Sequence, residues 1–201
     1  MKKHRVLLLD ADGVLVLPPK LFSEVYCEKY GVDPEKQQQF YATDEFKQAL
    51  LGNLDLIEAI KKHNDLWQWK GDFNELVVMW LEAENYPNKD LIDLVNEYRQ
   101  QGLPVYLATQ QEKYRAKYLK ETMFSDVLDG MFCSCDFQAN KHDKSFWQSV
   151  IKSLNSKYED IAPHEIVYFD DRQSIVDVAK DCGLDAYLYT EVSDVESLVT
   201  V

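Results

Sequence analysis

An α/β fold, a doubly wound parallel sheet carrying a small all-α insertion, is predicted by three features of the sequence. Short apolar runs alternate with amphipathic stretches, each run stops at polar residues, and a long helix-rich segment follows the first run. A chain of 201 residues suffices for one well-buried domain, or for a core that carries a smaller insertion.

Val6-Leu7-Leu8-Leu9 has the length and unbroken apolarity of a buried parallel strand, and it delivers Asp10-Ala11-Asp12-Gly13 to its carboxyl end. Ligands of open α/β sheets sit at such ends. Alternation along an extended chain points Asp10 and Asp12 to one side, and Gly13 lets the backbone turn away. Two carboxylates so close repel, which calls for a compensating cation or proton. An ordinary Asp-Gly turn is the plainer reading of the same residues.

Pro18-Pro19 breaks the pattern, and no convincing strand alternation returns before Tyr86-Pro87. Phe22, Val25, Tyr26 and Lys29 follow helical spacing and Gly31 ends that run. Asp33-Pro34-Glu35 starts a second helix carrying Phe40. Asn53 can cap a helix with Leu56, Ile57 and Ile60 on one face, and a last helix holds Leu76, Val77, Trp80 and Leu81. The aromatic residues Trp67, Trp69 and Phe73 read as core of this module. The division expected is a core of residues 1–16 and 87–201 with a helical module at 17–86.

From Asn88 onward the alternation is regular. Leu91, Leu94, Val95 and Tyr98 mark a helix stopped at Gly102, and Val105-Tyr106-Leu107-Ala108 a strand that ends at Thr109. Tyr114, Tyr118 and Leu119 mark the next helix, and Gly130 to Cys135 the next strand, with Lys141 in the loop beyond. Trp147, Val150, Ile151 and Leu154 form one helix face. Ile166-Val167-Tyr168-Phe169 is a strand stopping at Asp170-Asp171. A helix with Ile175, Val178, Ala179 and Cys182, a strand over Ala186-Tyr187-Leu188-Tyr189 and a short C-terminal helix complete the chain.

With 35 acidic against 22 basic side chains, the net charge of -13 argues against nucleic acid as a partner. Only four apolar residues separate the basic start, Met1-Lys2-Lys3-His4-Arg5, from Asp10, too few for a signal peptide or a membrane span. A cytoplasmic protein with no membrane partner is expected. Cys27, Cys133, Cys135 and Cys182 make no disulfide framework, and Cys133 with Cys135 reads as two same-face strand residues rather than half of a zinc site.

Four strand ends thus carry Asp10 with Asp12, Thr109, Lys141 after a loop, and Asp170 with Asp171. A phosphate ester bound there would find a nucleophile, an acid, a hydroxyl, an ammonium and carboxylates suited to Mg²⁺. The chain resembles the haloacid dehalogenase-like (HAD) hydrolases. Asp10-Ala11-Asp12-Gly13-Val14 is similar to that family's first motif, Tyr106-Leu107-Ala108-Thr109 to its second, Lys141-His142-Asp143 to its third and Tyr168-Phe169-Asp170-Asp171 to its fourth. The helical insertion resembles the family's α-helical cap.

The resemblance implies that Asp10 attacks phosphorus to form an aspartyl-phosphate and that Asp12 protonates the leaving group and then activates water. It implies Mg²⁺ held by Asp10, the backbone carbonyl of Asp12, and Asp171, with Asp170 either as an additional ligand or as a neighbour supporting the ligands, the division between the two acids of the fourth motif staying open. Thr109, Gln110 and Lys141 would contact substrate, a small phosphorylated metabolite. Gln110 stands where many capped relatives have Asn, and His142 where they have Pro. Lys144 is the alternative to Lys141, while His142 and Arg172 read as solvated. A phosphatase is the reading favoured, with Asp12 arguing against a dehalogenase. A phosphomutase, the less favoured dehalogenase and a catalytically silent interaction protein are the alternatives. The oligomeric state is not legible.

Overall fold

The computed structural model describes residues 4–200, so Met1-Lys2-Lys3 of the basic start, and Val201, lie outside the described residues. Five parallel strands form one sheet in the order β3-β2-β1-β4-β5: β1 (Val6–Leu9), β2 (Val105–Thr109), β3 (Gly130–Cys133), β4 (Ile166–Asp170) and β5 (Asp185–Leu188). The chain builds outward from β1 through β2 to β3, then returns to β1's other side for β4 and β5. The order reverses at β1 and β4, where both acidic motifs emerge.

Alternation along the strands sorts the core into two layers. Leu7, Leu9, Val105, Leu107, Val167 and Phe169 face one side, covered by α7 (Lys89–Gln100) and α12 (Val192–Leu198). Val6, Leu8, Tyr106, Ala108, Ile166 and Tyr168 face the other, under α10 (Lys144–Lys157) and α11 (Gln173–Asp181). After β2 the chain forms α8 (Lys113–Tyr118), continued by a π-helical turn over Leu119–Met123. The three strands buried along their whole length, β1, β2 and β4, read as apolar runs, as buried parallel strands require.

Between β1 and α7 lie six helices: α1 (Phe22–Tyr30), α2 (Pro34–Gln38), α3 (Asp44–Leu50), α4 (Leu56–Lys62), α5 (Asn64–Trp67) and α6 (Phe73–Ala83). They enclose their own core around Phe22, Tyr26, Phe40, Ile60, Trp67 and Leu76. The chain enters and leaves this helical module along two neighbouring connections. Val16 bridges Pro87 in antiparallel fashion, and the Leu17 N–H donates to Tyr86 O at 2.8 Å.

Several local expectations shift. Asp55, not Asn53, caps α4: its carboxylate accepts from the N–H groups of Ile57 and Glu58, which a shorter-ranged choice at Asn53 would leave open. Phe40 lies in a 3₁₀ turn, Gln39–Ala42, rather than in a continuous helix. The third strand stops at Cys133, because Ser134 Oγ accepts from Gln111 N–H at 3.1 Å and donates to Leu50 O at 2.7 Å, and the chain turns into α9 (Ser134–Phe137). Cys135 therefore sits in a helical turn, with its Sγ 3.3 Å from that of Cys133. The fifth strand begins one residue earlier than the apolar run suggests, at Asp185, whose carboxylate pairs with His4 at 3.0 Å.

Candidate active site

Strand β1 ends at Leu9, and the Asp10 N–H donates to Phe169 O at 3.0 Å, which fastens the first acid to the neighbouring strand β4. Asp170 closes β4 and is fully buried, and Asp171 follows it into solvent. Gly13 turns at φ +82°, and a Cβ there would fall 2.4 Å from Asp171 Oδ2. Only glycine lets the two acidic loops approach this closely.

The Lys141 Nζ lies 2.8 Å from Asp10 Oδ1 and 2.6 Å from Asp170 Oδ2, in a side chain that is 3% exposed. Its loop is held by Trp147, whose indole N–H donates to Lys141 O at 2.9 Å, and by the Lys141 N–H, which donates to Gln110 Oε1 at 3.3 Å. Lys144, the alternative lysine, instead pairs with Asp181 at 2.9 Å in solvent. Asp170 Oδ2 also accepts from Tyr168 OH, and Oδ1 accepts from Arg172 N–H at 2.9 Å. Asp171 has no comparable set of partners, its nearest cation being Arg172 Nε at 4.0 Å.

Asp10, Asp170 and Asp171 each present a carboxylate oxygen within 4.8 Å of the other two. Burial pushes the Asp10 carboxyl up to about 7, with Asp170 and Asp12 adding to the rise and Lys141 opposing it. Burial likewise raises Asp171, helped by Asp170. One ammonium does not neutralise three converging acids, and an all-oxygen set of this kind suits a hard divalent cation. The carboxyl group of Asp12 stands outside that cluster. If Asp12 contributes a ligand, only its backbone carbonyl is free to do so.

The Asp12 carboxylate is gripped by two residues that sequence reasoning missed. Arg115 Nη2 donates to its Oδ1 at 2.7 Å and Gln111 Nε2 to its Oδ2 at 2.5 Å. Arg115 is buried. Although burial opposes its charge, Asp12 and Glu84 raise its pKa further. Glu84, at the end of α6, lies 3.1 Å from Arg115 Nη1 and itself accepts from the Phe22 N–H at 2.9 Å. Nothing in Lys113-Tyr114-Arg115-Ala116 distinguishes Arg115 from a solvated helix residue, and its partners Asp12 and Glu84 both come from elsewhere in the chain.

Above these residues opens a cavity of about 450 Å³. Its floor is the sheet end, including Asp10, Asp12, Thr109, Gln110, Lys141 and Asp170. Thr109 ends β2 and is 1% exposed. The helical module roofs the cavity with Ser23, Gln38, Tyr41, Phe46, Trp80 and Glu84. His142 and Arg172 are exposed at its rim, as their sequence positions suggest.

A family model for haloacid dehalogenase-like hydrolases matches residues 4–183. Among solved structures, a HAD family enzyme of Bacteroides thetaiotaomicron superposes with a TM-score of 0.77 at 20% identity, covering 94% of this chain and 95% of that one. The same enzyme in complex with magnesium and inorganic phosphate gives 0.76 at 18% identity, over 93% and 94% of the two chains. A dehalogenase solved with an intermediate complex gives 0.72 at 13% identity over 100% and 99%. Identities this low speak for a shared fold. Among curated proteins, the ATP-dependent DNA helicase Rep of Buchnera aphidicola is 21% identical over 176 residues, 83% of this chain. The chain spans only 26% of that protein's length.

Proposed function

The chain belongs to the haloacid dehalogenase-like hydrolases, and on that premise we propose that it is a Mg²⁺-dependent phosphatase acting on a small phosphorylated metabolite. The observation that carries this reading is the convergence of Asp10, Asp170, Asp171 and Lys141 at one strand switch point beneath the cavity. The magnesium and phosphate bound by the structurally similar Bacteroides enzyme support it. Asp10, Asp171 and the Asp12 carbonyl would hold the metal, with Asp170 beside them. When bound, Mg²⁺ supplies positive charge that offsets the carboxylates and polarises the phosphoryl oxygens. Asp171 suits the ligand role better than Asp170, whose oxygens already accept from Lys141, Tyr168 and Arg172.

The side chains divide the chemistry. An Asp10 oxygen attacks phosphorus as the ester P–O bond breaks, and Asp12 gives its proton to the departing oxygen. Water then attacks the aspartyl-phosphate, Asp12 takes its proton, and the bond between phosphorus and Asp10 breaks to release phosphate. Thr109, Gln110 and Lys141 bind phosphoryl oxygens. The helical module, residues 17–86, acts as a cap that excludes water and selects the alcohol portion.

A dehalogenase is less well supported, since a departing halide needs no proton and Asp12 would lack a task. The helicase relative suggests no ATP-driven activity here, because the sequence contains no G-x-x-x-x-G-K-[ST] phosphate loop. The test is a panel of phosphorylated metabolites assayed with Mg²⁺ and with EDTA, following phosphate release and isomeric products together. Metal-dependent phosphate release is expected. Full activity in EDTA would overturn the metal assignment, and an isomerised phosphate ester as main product would make the enzyme a mutase.

A further inference from the structure

Asp12, the residue proposed to carry the proton, does not stand alone. Each of its two oxygens accepts one donor, Arg115 Nη2 at 2.7 Å and Gln111 Nε2 at 2.5 Å, which leaves a second lone pair on each oxygen for the proton. Arg115 is anchored from below, its own N–H donating at 2.7 Å to Glu112 Oε1 at the start of α8. On its other side it meets Glu84 at 3.1 Å, and Glu84 Oε1 accepts from Phe22 N–H at 2.9 Å. Glu84 follows the last helix of the module and Phe22 opens the first, so both ends of the insertion meet at Glu84, which faces the guanidinium.

That guanidinium is held at a cost. Its Nε and Nη1 hydrogens are buried without an aligned hydrogen-bond acceptor, and the Glu84 contact is an ion pair lacking hydrogen-bond geometry. Packing alone would favour a smaller or neutral residue, because a buried charge with open donors is expensive. A planar fork is what one residue needs in order to reach two carboxylates on different elements.

Resting on the phosphatase reading, we infer that Arg115 is a positioning residue: it aims the Asp12 carboxyl at the leaving oxygen and does so through its contact with Glu84, so that proton transfer depends on the seating of the helical module. Arg115 need not touch the substrate. Its loss therefore acts where proton donation matters and spares the steps where it does not.

The experiment compares first-turnover release of alcohol from an alkyl phosphate, the best one found in the metabolite panel, with release of nitrophenol from 4-nitrophenyl phosphate, in saturating Mg²⁺. The aryl ester needs little acid assistance. Arg115→Gln is expected to slow the alkyl ester ~10–10²-fold, part of the range typical for general acid catalysis, and the aryl ester by less than ~3-fold. Arg115→Lys is expected to recover little, since one ammonium cannot bridge Asp12 and Glu84. Glu84→Gln, which keeps the shape and the acceptor for Phe22, is expected to shift the same ratio in the same direction, and it decides the matter if Arg115→Gln does not fold. Equal slowing of both esters, or none, in the folded variants overturns the inference and leaves the phosphatase reading intact. A wild-type protein that cleaves neither ester overturns that reading and the inference with it.

Discussion

The floor below the cavity carries two charged groups, Lys141 paired with Asp10 and Asp170, and Arg115 paired with Asp12, whereas the helical roof presents Ser23, Gln38, Tyr41 and Trp80. Among the described residues the roof adds no lysine or arginine to the cavity, and its one charge, Glu84, is spent on Arg115. Burial pushes up the pKa of Tyr41, so its hydroxyl keeps its proton. The contrast teaches where each task belongs. On the phosphatase reading, the fixed charges beneath would act on the phosphoryl group, whose charge is the same in every substrate, and a neutral roof with hydroxyl, amide and aromatic faces would suit an uncharged alcohol portion. Substitutions at Asp10, Lys141 or Asp170 should lower all substrates together, those at Asp12 and Arg115 should separate esters by leaving group, and substitutions above should re-rank the alcohol portions.

The largest effect expected is from Asp10→Asn, which removes the nucleophile and should cost more than about 10⁴-fold on every ester, with no phosphoprotein in a quenched intact-mass measurement. Asp12→Asn comes next, at ~10²–10⁴-fold in steady state. It should still give a burst of phenol from an aryl phosphate and a mass increase of one phosphate on Asp10, because only the hydrolytic half then stalls. Turnover by this variant without any phosphoprotein would replace the nucleophile by a directly attacking water, and the division of labour below the cavity would need redrawing.

At the seam between the two regions, Glu112 opens α8 and accepts from Tyr114 N–H at 2.6 Å and Arg115 N–H at 2.7 Å. Burial pushes its carboxyl up to about 7, against those two donors and Arg115. A pKa raised above the unfolded value favours the protonated form in the fold. That contribution is complete below about pH 4.5 and is lost as pH rises through about 7. Urea unfolding of wild type and Glu112→Gln between about pH 5 and 8 should show the wild type losing up to about 3 kcal/mol that the amide retains. Parallel curves for the two proteins would mean that the seam carries no such penalty.

The smallest effect tests the roof. Gln38→Lys places a cation opposite the catalytic floor and should favour esters whose alcohol portion bears a carboxylate by about 2–5-fold in kcat/KM over neutral ones, the scale of an exposed ion pair. A uniform change across both substrate groups would break the contrast between floor and roof.

The floor was readable from sequence because apolar runs fix strand ends, and strand ends fix where Asp10, Thr109 and Asp170 stand. Lys141 was readable because its loop follows such a strand, and Trp147 behind it selects it over Lys144. The carboxylate cluster proposed to hold magnesium is legible as acids at two neighbouring strand ends, whereas the Asp12 side chain turns to Arg115 and Gln111. Arg115, Gln111 and Glu84 stayed hidden. Each lies in a locally unremarkable polar stretch and acquires its partner across a long sequence separation. Helices α3 and α5 were also missed, being too short for a period to declare itself, with α3 started by the Thr43 hydroxyl accepting from Phe46 N–H. Gly52 gave no signal either, although a Cβ there would fall 2.3 Å from the Cys135 carbonyl, where the module touches the core.

The adjacent connections at Val16–Pro87 and Leu17–Tyr86 have a consequence for how such a protein can change over generations. They form a single doorway, and whatever chain is threaded through it is a closed loop in the eyes of the sheet. Closing a loop costs entropy that grows only with the logarithm of its length, about 0.6 kcal/mol for each doubling. The sheet is thus almost indifferent to the amount of chain beyond the doorway, provided that chain folds on itself. A lineage can exchange one roof for another of different size, and so one diet for another, provided that the new roof again meets the buried Arg115 with a partner such as Glu84.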